Sequence, residues 1–209
     1  MTQTPDSNGN PSTEHRILSA AEREFIDKGY DGARTTSIAA AAGVTHTMLH
    51  YYFRTKENLF RHILEEKVKF LKGMMLDRLF ERDEPLLATI ESAIASHLDF
   101  LASNPDFPRF MLTVLAERPE FADAFREIVN SDYHDTMKVL QEKIDHSARL
   151  GECRRVDARM LILDIISLNA FTFIGLPLVN VLVDVTPDAD FIEQRKKNNV
   201  ELIMLKLKP

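Results

Sequence analysis

A short run near the N-terminus, Ile38-Ala39-Ala40-Ala41-Ala42-Gly43-Val44-Thr45, constrains this chain more than any other feature. The four alanines favour a helix and leave room for a second helix to pack closely against it. Gly43 can adopt the positive φ that a tight turn between two helices needs. Thr45 can cap the next helix, because its hydroxyl can accept a free N–H group of the first turn. The run therefore predicts a helix-turn-helix, and DNA binding is the first hypothesis.

The rest of the chain also shows helical periodicity. Apolar residues recur at helical spacing, and turn signals at the regular spacing of strands are missing. Only 7 of 209 residues are glycine, and 44% are apolar, which is enough for a substantial core. We therefore expect an all-α fold. Helices are predicted over 13–28, 35–42, 45–53, 56–80, 86–102, 109–116, 120–150, 157–176 and 188–206.

Charge and cysteine content limit the class of protein. The whole chain carries a net charge of −6, but residues 12–72 hold 10 Lys and Arg against 8 Asp and Glu. This asymmetry fits a weakly basic DNA-binding domain attached to an acidic body. Cys153 is the only cysteine, which excludes an internal disulfide and favours the cytoplasm. The polar residues 1–11 predict a disordered tail rather than a signal peptide.

Other function classes receive little support. Residues 160–183 are mostly apolar, but Asp164, Asn169 and Pro177 favour a buried or interface helix over a membrane span. The sequence contains no nucleophile elbow, phosphate-binding loop or HExxH motif, so we expect no enzyme and no cofactor. His46 and His50 lie four residues apart and could share a metal, but a third ligand is not close in sequence. We expect no metal site.

Residues 12–60 closely resemble the N-terminal domain of the TetR family of transcriptional regulators. The resemblance rests on motifs at fixed spacing: Gly29-Tyr30, Thr35-Thr36, Ile38-Ala39, Ala42-Gly43-Val44-Thr45, Leu49, Tyr52-Phe53 and Lys56-Glu57-Asn58-Leu59. One position departs from the family, which usually has tyrosine where this chain has His50. Histidine can still donate to a phosphate, and it could add a pH dependence.

The resemblance implies an organisation and a function. We expect a disordered tail at 1–11, a helix-turn-helix DNA-binding domain at 12–58, and a larger helical domain for effector binding and dimerisation at 59–209. The expected protein is a ligand-responsive repressor that binds a palindromic, double-stranded operator as a homodimer. The alternative is a DNA-binding regulator or architectural factor that senses no small molecule.

The DNA-contacting residues follow from the geometry of a helix-turn-helix, whose second helix enters the major groove with its N-terminal residues nearest the bases. Threonine hydroxyls and tyrosine phenols can reach bases or phosphates. The resemblance adds a phosphate contact for Lys56, whose charge is unfavourable in the first turn of a helix unless an anion is near. Each tyrosine could instead be an ordinary half-buried aromatic. The candidates are Arg34, Thr35, Thr36, Thr45, His46, Thr47, Met48, His50, Tyr51, Tyr52 and Lys56.

The resemblance also suggests residues for effector binding and for dimerisation, although residues of these types more often belong to an ordinary core. A small apolar effector would bind among the middle helices, at His97, Phe100, Phe107, Phe110, Met111, His134, Met137, Asn169 and Phe171. The homodimer would pair the last two helices, through Met160, Leu163, Ile166, Leu168, Phe191, Ile192, Ile203 and Met204.

Overall fold

The computed structural model describes residues 12–76, 84–183 and 188–209, and in these ranges every regular element is an α-helix. The all-α prediction is confirmed. The tail predicted at 1–11 lies outside the described residues. The helices are α1 (Thr13–Gly32), α2 (Thr35–Ala41), α3 (His46–Phe53), α4 (Lys56–Leu76), α5 (Leu86–Ser103), α6 (Phe107–Glu117), α7 (Pro119–Arg149), α8 (Ala158–Ile174), α9 (Leu176–Val183) and α10 (Ala189–Leu207).

Three prolines that lie outside the predicted helices are in the first turns of helices, and one of them is Pro119, the first residue of α7. Pro177 lies in the first turn of α9, a helix that the sequence analysis missed. Pro108 lies in the first turn of α6, which therefore begins two residues earlier than predicted. All three positions tolerate proline, because the N–H groups of a first turn have no partner within the helix. In this chain these prolines mark the starts of helices rather than loops between helices.

The described chain forms two compact units, and each is made of two stretches of sequence. The first contains residues 12–68 and 110–126, and the second contains the described residues of 69–109 and 127–209. The boundary predicted after residue 58 falls inside the first unit, because Phe60 of α4 is fully buried there against Phe25 and Phe121. Helices α4, α6 and α7 each contribute residues to both units.

The core of the first unit holds the three N-terminal helices together. The buried face of α1 includes Ile17 and Phe25, and α2 contributes Ile38. Helix α3 contributes Leu49 and Phe53, each 1% exposed. Because these two residues anchor one face of α3, its opposite face is left to solvent.

The second unit has its own hydrophobic core, formed by α5, α7, α8 and α10. Its most deeply buried members are Ile94, Leu140, Ile144, Leu161 and Leu207. Among the described helices, none combines the length and apolar content that crossing a membrane would require.

Candidate nucleic-acid interface

The turn between α2 and α3 has the geometry that the sequence predicts. Gly43 has a φ of 66°, and the Val44 N–H donates to the carbonyl of Ala39 over 3.0 Å. The Thr45 hydroxyl accepts the Met48 N–H over 3.1 Å and so caps α3. A side chain at residue 43 would strain this left-handed backbone, which explains the glycine. The helix-turn-helix is therefore present, with α3 as its second helix.

The face of α3 opposite Leu49 and Phe53 is exposed. It presents all the candidate residues predicted on this helix: Thr45 as its N-cap, then His46, Thr47, Met48, His50, Tyr51 and Tyr52. Tyr51 is 81% exposed, which disfavours the alternative of an ordinary half-buried aromatic at this position, whereas Tyr52 is 40% exposed and fits either interpretation. His46, Thr47 and Met48 lie in the first turn of α3, where a helix in the major groove meets base edges.

Two predicted DNA-contacting residues are in contact with each other. Thr35 Oγ1 at the start of α2 lies 3.0 Å from Nε2 of His46 on α3. A histidine that donates this hydrogen bond leaves the threonine hydroxyl hydrogen available for a phosphate oxygen. Arg34 and Thr36, on either side of Thr35, are exposed. The hydrogen bond with Thr35 of α2 thus fixes the side-chain rotamer of His46, a predicted base-contacting residue of α3.

Lys56 has a structural role that the sequence did not predict. Its Nζ donates to the carbonyls of Ala33 (2.8 Å) and Asp31 (3.2 Å), and lies 4.8 Å from the ring centre of Tyr30. Burial lowers the pKa of Lys56, while the nearby carboxylate of Asp31 opposes that shift. The lysine thereby joins the start of α4 to the segment before α2. Its third N–H can still serve the predicted phosphate contact, which stays a prediction.

Sequence reasoning also missed the cluster around Tyr30. The guanidinium of Arg118, between α6 and α7, forms an ion pair with Asp31 and lies 5.3 Å from the Tyr30 ring centre. The Tyr30 ring packs on Phe121 at 4.8 Å. Burial is the largest cause of the raised pKa of Tyr30, and Arg118 lowers the pKa of Asp31 through their hydrogen bond. Since Asp31 and Arg118 are 87 residues apart, their pairing has no local sequence signal.

The C-terminal end of α3 borders an open concavity of about 500 Å³, lined by His50, Tyr51, Tyr52 and Arg54. Arg54 has a φ of 56°, the only positive φ outside glycine among the described residues. His50 Nδ1 donates to the Arg54 carbonyl over 2.7 Å, and the His50 ring lies 4.6 Å from that of His46. The described residues include no group of three His, Cys, Asp or Glu placed to hold a metal ion.

A buried polar network in the second unit contains two predicted effector residues. Asn169 Nδ2 donates to the Ile94 carbonyl (2.9 Å) and lies 3.3 Å from Nδ1 of His97. Asn199 donates to Asn169 Oδ1 over 2.8 Å, and its own Oδ1 has no hydrogen-bond partner among the described residues. Burial lowers the pKa of His97 to about 4. Asn199, on α10, is a polar group that the sequence analysis did not select.

The other effector candidates do not all lie together. Phe100, Phe107 and Met137 are buried in the same unit as His97, and the two phenylalanine rings are 5.6 Å apart. In contrast, Phe110 and Met111 belong to the first unit, where the Phe110 ring packs against Phe60. Phe171 is 56% exposed, so its selection as a buried pocket residue does not fit the structure. The side chain of His134, on α7, lies outside the described part of the chain.

The predicted interface residues divide into exposed and core positions. Met160, Leu163 and Ile166 form an exposed apolar strip on α8. Ile203 is a core residue, 2% exposed, so its prediction as an interface contact does not fit the structure. Leu168 and Met204 pack partly against the same core, and Phe191 and Ile192 are half-buried at the start of α10. The sequence analysis missed Leu202 and Leu205, which are exposed on α10 at helical spacing.

Comparison with known proteins matches the N-terminal segment to a family. Residues 17–63 match the family model of bacterial regulatory proteins, tetR family. The chain is 34% identical over 108 residues to the transcriptional regulator RutR of Escherichia coli K12, a match that covers 51% of this chain and 50% of RutR. The chain spans about half the length of the curated relatives it matches.

Solved structures share the fold over nearly the whole chain. FadR of Bacillus subtilis, in complex with stearoyl-CoA, has a TM-score of 0.65 at 20% identity and covers 91% of this chain and 97% of its own. AibR, in complex with isovaleryl coenzyme A and operator DNA, has a TM-score of 0.68 at 18% identity, over 91% of this chain and 97% of AibR. At these identities the likeness shows the fold alone.

Proposed function

Because the N-terminal domain of this chain belongs to the TetR family of bacterial regulatory proteins, we propose that the protein is a transcriptional regulator that binds operator DNA. It binds a palindromic site as a homodimer, and a small apolar effector releases it, which makes it a ligand-responsive repressor. Such a protein carries out no enzymatic reaction and works in the cytoplasm, where the DNA is. The observation that carries the proposal is the row of exposed side chains at the N-terminal end of α3, which follows the turn at Gly43 and is capped by Thr45.

The exposed polar side chains of α3 can perform both parts of DNA recognition. Thr47 offers a hydroxyl to a base edge and a methyl group to a thymine. Tyr51 and Tyr52 carry phenols that can donate to phosphate oxygens. Such contacts position the protein on the duplex but do not distinguish one base sequence from another. Two protomers in a dimer would place two copies of α3 in successive major grooves, about 34–36 Å apart.

Footprinting tests the DNA-binding proposal directly. Purified full-length protein is incubated with duplexes covering the DNA on both sides of its own coding region, at low ionic strength. We expect protection of one palindrome whose half-sites lie about one helical turn apart. If no duplex is protected although circular dichroism shows that the protein is folded and helical, the proposal is refuted.

Substitutions at Thr47 separate base contacts from phosphate contacts. Thr47→Ala should change the preferred base at one position of each half-site, while affinity for a random-sequence duplex stays within about twofold. Thr47→Ser is the matched control, because it keeps the hydroxyl and removes only the methyl group. If both variants select the same operator as the wild type, Thr47 does not contact a base.

The homodimer is proposed to form through α8 and α10. The exposed strip of Met160, Leu163 and Ile166 is apolar, and large apolar patches on a surface typically mark association sites. Leu202 and Leu205 extend the apolar surface on α10, a helix that packs against α8. Sedimentation equilibrium should give the mass of two chains, and a monomer at micromolar concentration would contradict this part of the proposal.

The effector is proposed to bind near the buried network of His97, Asn169 and Asn199. Phe100, Phe107 and Met137 supply apolar surface in this unit. An effector N–H or O–H could donate to Asn199 Oδ1, which has no partner in the part of the chain that the structure describes. Apolar walls with few polar anchors are the usual composition of small-molecule sites. Helices α4, α6 and α7 have residues in both units, so an effector that prefers one position of these helices can change operator affinity.

Ligand screening distinguishes an effector-responsive repressor from a regulator that senses nothing. Thermal unfolding is followed with a panel of apolar ligands that begins with acyl-coenzyme A thioesters, because two solved structures of this fold hold such ligands. An effector should raise the unfolding midpoint and weaken operator binding in proportion. A panel that stabilises the protein without releasing DNA would favour the alternative.

A further inference from the structure

We propose that the concavity at the C-terminal end of α3 is a phosphodiester site in which His50 acts as an imidazolium, so that each protomer takes up a proton when it binds DNA. The proposal rests on the proposed function, since it assumes that α3 lies on a duplex. The four lining residues are His50, Tyr51, Tyr52 and Arg54, and all four are exposed. Their phenols, guanidinium and imidazole are the side-chain types that bind phosphate oxygens.

The hydrogen bond of His50 determines what its ring can offer. A carbonyl oxygen only accepts hydrogen bonds, so the contact of 2.7 Å to Arg54 places a hydrogen on Nδ1. In the neutral ring the other nitrogen, Nε2, is then a bare acceptor, which a phosphate oxygen repels. Nε2 can donate to a phosphate only after it binds a proton. Tyrosine, the usual residue of the family at this position, donates without any change of charge.

The groups around His50 bear on its charge in opposite directions. The imidazolium lies in the last turn of α3, where the helix macrodipole favours a positive charge. The Arg54 carbonyl and an incoming phosphate favour it further. The Arg54 guanidinium opposes it, and so does His46 when that ring, 4.6 Å away, is also protonated. The phosphate is the largest charge that DNA binding adds, so binding and protonation favour each other.

The consequence is a pH-dependent affinity for any duplex sequence. By linkage, uptake of one proton per protomer weakens binding of a dimer by up to about a hundredfold for each unit of rising pH in the range where the protons are taken up. Because phosphates occur in every sequence, a random-sequence duplex of 30 base pairs is a sufficient probe. Fluorescence anisotropy at fixed low ionic strength, from pH 5.5 to 8.5, measures the dependence.

Variants at His50 separate this site from other titrating groups. In His50→Tyr the phenol donates at every pH tested, so we expect a shallower pH dependence and tighter binding than the wild type at pH 8. His50→Gln supplies a neutral amide donor and should show the same loss of slope, which covers the case in which the tyrosine variant does not fold. His146→Gln is the matched control, because His146 is exposed on α7 and should keep the wild-type slope.

Calorimetry counts the protons. Titration of the duplex in two buffers of equal pH and different ionisation enthalpy gives the number taken up, which should fall from the wild type to His50→Tyr by up to one per protomer. Equal proton uptake and equal slopes in wild type and both His50 variants would overturn the inference while leaving DNA binding intact. Absence of duplex binding at any pH would instead reject the proposed function.

Discussion

Protonation of His97 should be the largest single pH effect on the stability of this protein. His97 is 5% exposed, and burial lowers its pKa from 6.5 to about 4. The hydrogen-bond network also disfavours protonation of His97, because Asn169 Nδ2 donates both to the Ile94 carbonyl and toward Nδ1 of His97. A proton on Nδ1 would therefore face an N–H group. The ring is held neutral.

The sign of the effect follows from proton binding in the two states. The unfolded chain binds a proton at His97 near pH 6.5, whereas the folded chain does so only near pH 4, so the unfolded state holds more protons in between. The stabilisation is fully present above pH 6.5 and is lost as the pH falls toward 4. The shift of about 2.5 units corresponds to about 3 kcal/mol in the free energy of unfolding, lost at up to about 1.4 kcal/mol per pH unit.

The assay is urea unfolding at fixed protein concentration between pH 7.5 and 4.5, with wild type and His97→Asn compared at each pH. Asparagine places a carboxamide oxygen close to the position of Nδ1, where it can accept from Asn169 without titrating. We expect the variant to be less stable at pH 7.5 because it leaves a small cavity, and the difference to shrink by about 2 kcal/mol or more at pH 4.5. His146→Asn, on an exposed part of α7, should keep the wild-type pH dependence. A difference between wild type and His97→Asn that does not change with pH would refute the reasoning.

Three further substitutions give separate outcomes. Thr45→Ala removes the acceptor of the Met48 N–H and should lower the free energy of unfolding by about 1 kcal/mol in urea titrations, whereas Thr45→Ser should restore it. Lys56→Ala should weaken binding to a random-sequence duplex and reduce the slope of log affinity against log salt by about one unit per protomer; an unchanged slope would restrict Lys56 to its carbonyl contacts. Leu163→Glu should convert the proposed dimer into a folded monomer in sedimentation experiments. Ile203→Glu should instead lower the free energy of unfolding by several kcal/mol, because it places a charge in the core. If both glutamate variants remain folded dimers, the division between exposed and core positions is wrong.

Local sequence patterns predicted the helix-turn-helix with near-residue accuracy. Gly43 takes the positive φ, Thr45 caps α3, and Leu49 and Phe53 face the core as their spacing indicated. Each of these features depends on residues within about ten positions of one another. The N-cap of α1 at Ser12 follows the same rule, since its hydroxyl accepts the N–H of His15.

The later helices were predicted less well, because their sequence signals are ambiguous. A proline two residues after a glycine suggests a break, but Pro177 lies in the first turn of α9 instead. An apolar helix such as α8 does not reveal which of its residues face the core. Ile203 and Leu163 are equally apolar, yet one is buried and the other exposed, and only the packing of α8 and α10 separates them.

The sequence by itself determined the first three helices, the turn at Gly43 and the exposed N-terminal residues of α3, because backbone conformation and caps depend on near neighbours. Tertiary structure alone decided that Lys56 donates to two carbonyls more than twenty residues away, that Arg118 pairs with Asp31, and that Asn199 joins Asn169 in the core. Those contacts join chain segments that are distant in sequence. No periodicity or spacing encodes them, because each depends on how whole helices pack.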